Sequence, residues 1–497
     1  MTIPKPPLRT ALLTALLMAA TALLIAGLQP LRSDLYWWHT AVGEFISTWQ
    51  AIPDQQLFLF TVDPEAPWVY GSWLGAVALS VFDEFGGAEL SLLVRNLAVA
   101  FCVAAITYSL ARRTGKLAPT LIAAALATTG FVWFLPTEPQ ALAAPVAVIA
   151  VLAAWRLIRQ ADRLWIALVL PLGVLAVVNL DVSVAIGLTA VGIVTAAELI
   201  RVSRGNDEGG KLIAAAFACA AAVPATIFGF AYALAYWPQT LQSLFSPPAL
   251  AVDSALVAII TAALVGWLWR AGLRQDQPPR LITTILLAVT AAMALFAPTT
   301  TAVFLTVATL LFADLLTNRL SNARGFPSGW RLLAALIVVT AAAVVVQPGV
   351  DTRAPILNTI HSDLRDTPPH TGTISEALPL RCAEELRAAR GEPRVFHHPD
   401  HAGFLLAQLL DAEQPRAMLF DDHRHLVDQD LRQRAELVRS DAVARGIFQS
   451  EGIDAAVLDR QLYPEAVQEL DDAPEWHDLR EERNERFGCF VLVDPNR

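Results

Sequence analysis

The sequence predicts a polytopic α-helical membrane protein, with about eleven transmembrane helices followed by a water-soluble α/β domain. Two observations carry the prediction. Of the 497 residues, 55% are hydrophobic and only 16% are charged, and the mean hydropathy of +0.48 is too high for an ordinary soluble protein. The apolar residues are also grouped into runs of roughly 20, the length that a helix needs to cross about 30 Å of hydrocarbon.

The apolar runs end at Pro348 and Gly349, after which the sequence is charged and rich in Arg, Asp and Glu. Pro and Gly commonly end a helix, so we predict a transmembrane domain over 1–348 and a soluble domain over 349–497. A shorter apolar piece, 72–84, fits either an interfacial or re-entrant helix or a tilted span. The predicted spans are 10–29, 88–111, 117–134, 140–158, 164–180, 183–200, 211–234, 252–270, 281–297, 300–317 and 330–347.

Cationic residues predict the orientation. Lys and Arg fall on alternate connections, and cytoplasmic loops retain these residues. The N-terminus is therefore expected in the cytoplasm. No small-residue cleavage site follows the first apolar run, so we expect a retained helix there. The connections expected on the opposite side, together with the soluble domain, are 30–71, 135–139, 181–182, 235–251 and 298–299.

The long first loop, 30–71, is rich in aromatic and acidic residues. Large apolar side chains recur there at helical spacing, at Trp37, Trp38, Phe45, Ile46 and Trp49. This spacing predicts an amphipathic helix that lies in the lipid headgroup layer. Asp34 lies just past the first span, and an ionisable residue at a membrane boundary is a candidate functional residue. A solvated loop carboxylate is the alternative.

Short motifs follow one another along this loop. Asp34 is followed by Trp38 and His39, and then come Gly43-x-x-Ile46, Ile52-Pro53, Phe58-x-x-Thr61, Pro67-Trp68 and Trp73-Leu74. The order and spacing of these motifs resemble the first periplasmic loop of bacterial membrane proteins of the GT-C glycosyltransferase superfamily, such as protein mannosyltransferases and aminoarabinose transferases. Runs of the soluble domain, among them Gly403-Phe404-Leu405 and Val457-Leu458, are similar to the terminal domain of that branch.

The resemblance implies a GT-C-like transmembrane domain in a bacterial inner membrane, with the terminal domain in the periplasm. It also implies transfer of a hexosyl or pentosyl sugar from a polyprenyl-phosphate donor to an acceptor on the periplasmic side. An acidic residue of the first loop serves such enzymes as general base, or as a metal or acceptor ligand, and that catalytic role falls here on Asp34. A carboxylate can take the acceptor hydroxyl proton while the lipid phosphate leaves. The implied substrate-binding positions are His39, Asp54, Gln56, Glu138, Gln140, Asn179 and Asp181.

Three positions depart from the family pattern. Gln56 stands where relatives carry an Asp before Phe-x-x-Thr, Glu138-Pro139-Gln140 replaces an Arg-Pro-Gln, and Asn179-Leu180-Asp181 replaces an Asn-x-His. Carboxylates thus occupy two positions of basic or neutral ligands, so either the substrate differs or catalysis has been lost. If Asp34, Glu138 and Asp181 converge, their oxygens could hold a divalent cation. Exposed helix ends are the alternative for Glu138 and Asp181.

The sequence thus leaves catalysis open. Lipid-linked sugar transfer is the leading function, and the alternative is a non-catalytic relative that binds a lipid-linked glycan or organises a surface-polysaccharide complex with cell-envelope partners. The expected ligands are the polyprenyl-phosphate-linked sugar and the lipid bilayer, and nothing in the sequence resembles nucleic-acid recognition. A secondary transporter would carry several intramembrane charges, and apart from Arg95 we find few.

The soluble domain alternates β-rich and helical stretches, which predicts an α/β layered fold. The predicted strands are 393–396, 416–420, 453–458 and 487–493, and the predicted helices are 375–390, 401–410, 429–447 and 462–471. Two strands end in sequence rich in His and Asp, 397–401 and 421–425. These ends could share one crevice, because ligands of α/β sheets gather beyond the carboxyl ends of strands. Solvated loops are the alternative.

Cys382 and Cys489 both lie in the soluble domain. The predicted orientation places that domain outside the reducing cytosol, where disulfides form and persist. We therefore predict a disulfide between these two cysteines.

Overall fold

The chain divides into two compact units, Met1–Pro30 with Ala88–Pro369, and Leu31–Gly87 with His370–Arg497. The first loop therefore belongs to the same unit as the C-terminal residues. The boundary predicted at Pro348 and Gly349 lies outside the described residues. The computed structural model describes residues 8–27, 31, 34–55, 57–63, 70–135, 137–159, 169–202, 259–267, 270, 281–296, 300–320, 379–388, 393–410, 419–420, 429–479 and 486–493.

The described residues up to 320 are almost entirely helical. In the part of the chain that the structure describes, four helices are long and apolar enough to cross a membrane, at Leu8–Ala26, Trp73–Thr114, Leu117–Phe134 and Pro139–Leu157. The predicted spans 211–234 and 330–347 lie outside the described residues, so the span count stays a prediction. The helices are α1 (Leu8–Ala26), α2 (Asp34–Trp49), α3 (Trp73–Thr114), α4 (Leu117–Phe134), α5 (Pro139–Arg159), α6 (Val169–Val177), α7 (Val182–Val202), α8 (Leu281–Phe296) and α9 (Thr301–Leu320).

The first unit packs through small residues. Ala123, Ala124 and Ala127 of α4, with Ala143 and Ala147 of α5, are fully buried in one core. Small side chains allow helices to approach closely where lipid supplies no hydrophobic driving force between them. Buried threonine hydroxyls in this core donate to carbonyls four residues back in their own helices, so they need no partner in hydrocarbon.

Arg95 has a structural explanation in the first unit. Its side chain is only 4% exposed. Its Nε donates to Leu135 O at 2.8 Å and its Nη2 to Val132 O at 2.9 Å, at the end of α4. Its Nη1 donates to Ala26 O, the last residue of α1, at 3.4 Å. The last carbonyls of a helix lack intrahelical partners and form its negative end, so this intramembrane cation requires no transport role.

The C-terminal part of the second unit is an α/β layer. Its sheet has the order β1-β2-β4-β3, with β1 and β2 parallel and the other pairs antiparallel. The elements are α10 (Leu380–Ala388), β1 (Val395–His397), a 3-10 turn (Pro399–His401), α11 (Ala402–Leu409), α12 (Gln429–Ser440), α13 (Ala444–Glu451), β2 (Ala455–Asp459), α14 (Pro464–Asp471), β3 (Trp476–Asp478) and β4 (Phe487–Leu492).

Most of these elements match the sequence prediction. Of the predicted strand 416–420, only Leu419 and Phe420 are described, and Leu419 forms isolated bridges rather than a strand. Two further differences concern a helix and a strand. The predicted helix 429–447 is two helices, because α12 ends at Ser440 and α13 begins at Ala444. The short strand β3 was not predicted. Its three residues pair with β4, and a run of that length carries no periodicity of its own.

Cys382 and Cys489 form a disulfide that joins α10 to β4, with Cα atoms 5.5 Å apart. This separation lies inside the range that a disulfide requires. The predicted pairing of these cysteines agrees with this geometry.

Candidate functional site

Asp34 is the first residue of α2, a helix of the second unit in which residues 36–43 are buried. Trp37 is 5% exposed, Trp38 is 1% exposed, and Phe45 and Ile46 are buried as well. Of the five apolar residues that predicted a helix in the headgroup layer, only Trp49 is half exposed. That prediction is wrong for the other four, because protein rather than lipid covers them.

One side of α2 packs against the first segment of α3. Tyr36 Oη donates to Asp83 Oδ1 at 2.6 Å, and Gly43 lies against the backbone of Ala76. The apolar piece 72–84 is thus a helix that packs on α2 in the second unit. Helical geometry is lost at Gly86 and Gly87, and Gly87 has a φ of 64° that favours glycine.

Gly43 marks the closest approach of these two helices. A Cβ atom at this position would lie 2.1 Å from Ala76 O and 2.5 Å from Ala76 C. We expect Gly43→Ala to destabilise the second unit by about 1–3 kcal/mol, because the helices must separate. Thermal unfolding of the purified protein measures the effect. Gly446→Ala is the matched control, since a Cβ there meets nothing within 4 Å, and it should be neutral or stabilising. Equal stability of both variants would contradict the close packing.

The Phe-x-x-Thr motif forms an edge of the sheet. Phe60 N donates to Leu419 O at 3.2 Å, and Leu419 N donates to Phe58 O at 3.0 Å. Thr61 Oγ1 donates to Phe420 O at 2.6 Å. Leu419 also bridges Val395 of β1. The motif therefore attaches the first loop to the terminal domain, a role that its sequence did not indicate.

The other predicted residues of the first loop have different surroundings. His39 is 8% exposed, and its Nδ1 is hydrogen-bonded to the hydroxyl of Tyr70, which is also buried. Asp54 is exposed. Gln56 lies outside the described residues, as does the side chain of Asp34. His39 therefore lies in a protein interior, whereas Asp54 faces solvent.

In the first unit, Glu138 and Asp181 lie at the starts of two neighbouring helices, α5 and α7. They are only 7% and 5% exposed, so the alternative of exposed helix ends is wrong. Gln140 Nε2 donates to Glu138 Oε2 at 3.3 Å, and Val184 N donates to Asp181 Oδ1 at 3.0 Å. Asn179 is partly buried two residues before Asp181. The structure thus places Glu138 and Asp181 close enough to interact electrostatically.

The surroundings of Asp181 favour its protonated form. The pKa of this carboxyl is raised to about 7, chiefly by burial and also by the nearby Glu138 carboxylate. The hydrogen bonds from the Val184 and Ser183 amides act in the opposite direction. A protonated carboxyl group is uncharged and can donate a hydrogen bond. Glu138 and Asp181 can therefore lie near each other without both carrying a negative charge.

The described residues do not build a metal site. Among them, no group of three or more His, Cys, Asp or Glu side chains is close enough to hold an ion. The side chain of Asp34 lies outside the described part of the chain, so its predicted convergence with Glu138 and Asp181 stays a prediction. Glu138 and Asp181 without it supply fewer oxygens than a hard divalent cation prefers. We therefore derive no step through a cation.

The His-rich end of β1 is built into the fold. The amide of Phe420 donates to His397 Nε2 at 3.3 Å, so Nδ1 carries the proton and donates to His398 O at 2.9 Å. The second run, 421–425, lies outside the described residues. The predicted shared crevice stays a prediction, and His397 itself has a structural role.

Neither a protein-family model nor a curated protein sequence matches the chain. The chain is similar to the solved archaeal oligosaccharyltransferase AglB from Archaeoglobus fulgidus in complex with an inhibitory peptide and a dolichol-phosphate. The TM-score is 0.49 at 11% identity, over 97% of this chain and 74% of that chain. The apo oligosaccharyltransferase of the same organism gives 0.48 at 11% identity, over 92% and 70%. Because both TM-scores are below 0.5, we base the function on the residues of this chain.

Proposed function

We propose that this chain is a membrane glycosyltransferase-like protein, which transfers a sugar from a polyprenyl-phosphate donor to an acceptor on the periplasmic side of a bacterial inner membrane. The observation that carries the proposal is the placement of Asp34, the acidic residue that matches the GT-C pattern, at the start of α2, a helix in which residues 36–43 are buried. A catalytic group needs a rigid supporting element.

The proposed reaction needs one proton acceptor. The Asp34 carboxylate takes the proton of the acceptor hydroxyl, and the hydroxyl oxygen bonds to the anomeric carbon of the sugar. The bond from that carbon to the phosphate oxygen breaks, the polyprenyl phosphate leaves with the electron pair, and the anomeric configuration inverts. The roles of His39, Asp54, Gln56, Glu138, Gln140, Asn179 and Asp181 in substrate binding remain part of this proposal.

A non-catalytic relative is the second candidate, and two observations favour it. The backbone of Phe58-x-x-Thr61 and the Thr61 hydroxyl are hydrogen-bonded to Leu419 and Phe420, so these groups of the motif are used in the fold. The buried Glu138 stands where the GT-C pattern has a basic ligand, and its carboxylate would repel a donor phosphate. Such a protein would bind a lipid-linked glycan, or organise a surface-polysaccharide complex, without turnover.

A turnover assay separates the two candidates. The purified full chain in lipid nanodiscs is incubated with defined hexosyl- and pentosyl-phosphate polyprenols and a cell-envelope extract as acceptor, and release of polyprenyl phosphate is measured. We expect release that depends on both the protein and the extract. Binding of a donor without release supports a non-catalytic relative that binds a lipid-linked glycan. The absence of both binding and release contradicts the transferase and the glycan-binding relative, and leaves the organiser of a surface-polysaccharide complex.

The proposed orientation predicts which loops an impermeant thiol reagent reaches in intact cells. Single cysteines in 201–211 should resist the reagent, because the cation-rich connections are cytoplasmic. Single cysteines in 235–251 should react. The parent protein, with its four native cysteines, measures the background, and lysed cells show that each cysteine is reactive. Labelling in the opposite sense would reverse the orientation and every assignment made from it.

A further inference from the structure

The helix that begins at Asp34 is held from a second side by the terminal domain. The helix α2 packs against α11, which lies more than 350 residues later in the sequence. The ring of Trp37 meets the ring of Phe404 edge to face, with centroids 5.5 Å apart. Trp37 comes three residues after Asp34, which is one helical turn.

Phe404 lies in a closely packed part of the second unit. It is 0% exposed, as are Leu405 and Leu406 beside it in α11. The 3-10 turn before α11 is closed by the bond from His401 N to His398 O at 2.9 Å and follows β1 directly. The helix α11 also packs against α10, which the disulfide joins to β4. The contact with Trp37 is therefore backed by the sheet of the terminal domain.

We infer that Phe404 is a positioning residue for the first turn of α2, so that the terminal domain sets the location of Asp34 through the contact between Phe404 and Trp37. The inference rests on the proposed function, in which Asp34 is the general base. A protein interior transmits displacements because it is closely packed. A shift of about 1 Å in a reacting group can lower a rate about 100-fold.

The test compares two fully buried phenylalanines of the second unit. Phe404→Ala removes the ring that meets Trp37, whereas Phe448→Ala removes a ring that packs on Phe396 and Trp476. Both residues are 0% exposed, so both substitutions open a cavity of similar size. We expect Phe404→Ala, corrected for the folded fraction, to lower turnover about 10- to 100-fold with an unchanged KM for the donor. Phe404→Leu should keep most of the turnover of the parent protein, because Leu fills most of the space of the ring.

A double-variant cycle distinguishes positioning from loss of folded protein. If Phe404 acts through Asp34, Phe404→Ala should have little further effect on the residual turnover of Asp34→Asn. A loss by the same factor in both backgrounds would overturn the inference. Phe448→Ala should act equally in both backgrounds.

Hydrogen exchange tests the same contact without reference to activity. In the full chain, the amides of residues 35–41 should exchange at least about tenfold faster in Phe404→Ala than in Phe448→Ala. If the two variants protect these amides equally, the inference is wrong even if the protein is an active transferase. If the amides of residues 35–41 exchange faster in Phe404→Ala but the parent protein has no turnover, the result supports the contact between Phe404 and Trp37. It then rejects only the proposed reaction.

Discussion

Asp34→Asn is expected to lower sugar transfer by about 10²–10⁴-fold, which is the usual contribution of general-base assistance. The substitution keeps the size of the side chain and removes its negative charge. Asn is also well accepted at the start of a helix, so α2 should form as it does in the parent. Transfer is measured with the polyprenyl-phosphate sugar that gives the highest turnover in the parent protein.

Asp54→Asn is the matched control for this experiment. Asp54 is exposed, and it lies in the same loop, so the variant removes the same charge from a position without helical support. We expect it to have the smaller effect. Full turnover in Asp34→Asn would reject the general-base role, and equal losses in both variants would point to the charge of the loop rather than to one catalytic residue.

The helices and the α/β character of the terminal domain could be predicted because both depend on local patterns. Apolar runs of sufficient length are visible in α1, α4 and α5, and the strands β1, β2 and β4 are short runs of apolar residues. The pairing of Leu59 with Leu419 could not be predicted in this way. The two residues are separated by 360 positions, and no local periodicity records such a contact.

In the candidate site, too, features that depend on local sequence could be predicted, and features that depend on distant contacts could not. The position of Asp34 just past the first span followed from the sequence, and the structure places it at the start of α2. The sequence did not show what covers that helix, because lipid and protein select the same apolar side chains at Trp37 and Trp38. The burial of Glu138 and Asp181 could not be predicted from the sequence either. A carboxylate at a helix start is usually solvated, and it becomes buried only when other helices pack around it.

Replacing Cys382 and Cys489 together by Ala is expected to lower the free energy of unfolding of the second unit by about 4–5 kcal/mol on the chain-entropy model. The disulfide closes a segment of 107 positions, and the open segment has far more conformations when unfolded. The bond also joins α10 to β4, so its loss should first free the helix layer that supports α11. Chemical unfolding of the purified chain, followed by tryptophan fluorescence, measures the change.

A reductant should have the same effect on the parent protein and none on the double variant. Cys102→Ala is the control, because Cys102 is a buried free thiol of α3 and its replacement leaves the disulfide in place. The state of the bond also tests the location of the terminal domain, since the cytosol keeps thiols reduced. If both Cys382 and Cys489 are alkylated in protein isolated without reductant, the disulfide is absent and the periplasmic placement of the terminal domain loses its support. If neither is alkylated until reductant is added, the bond forms in the cell, and the helix that begins at Asp34 is supported by a domain that folds in an oxidising compartment.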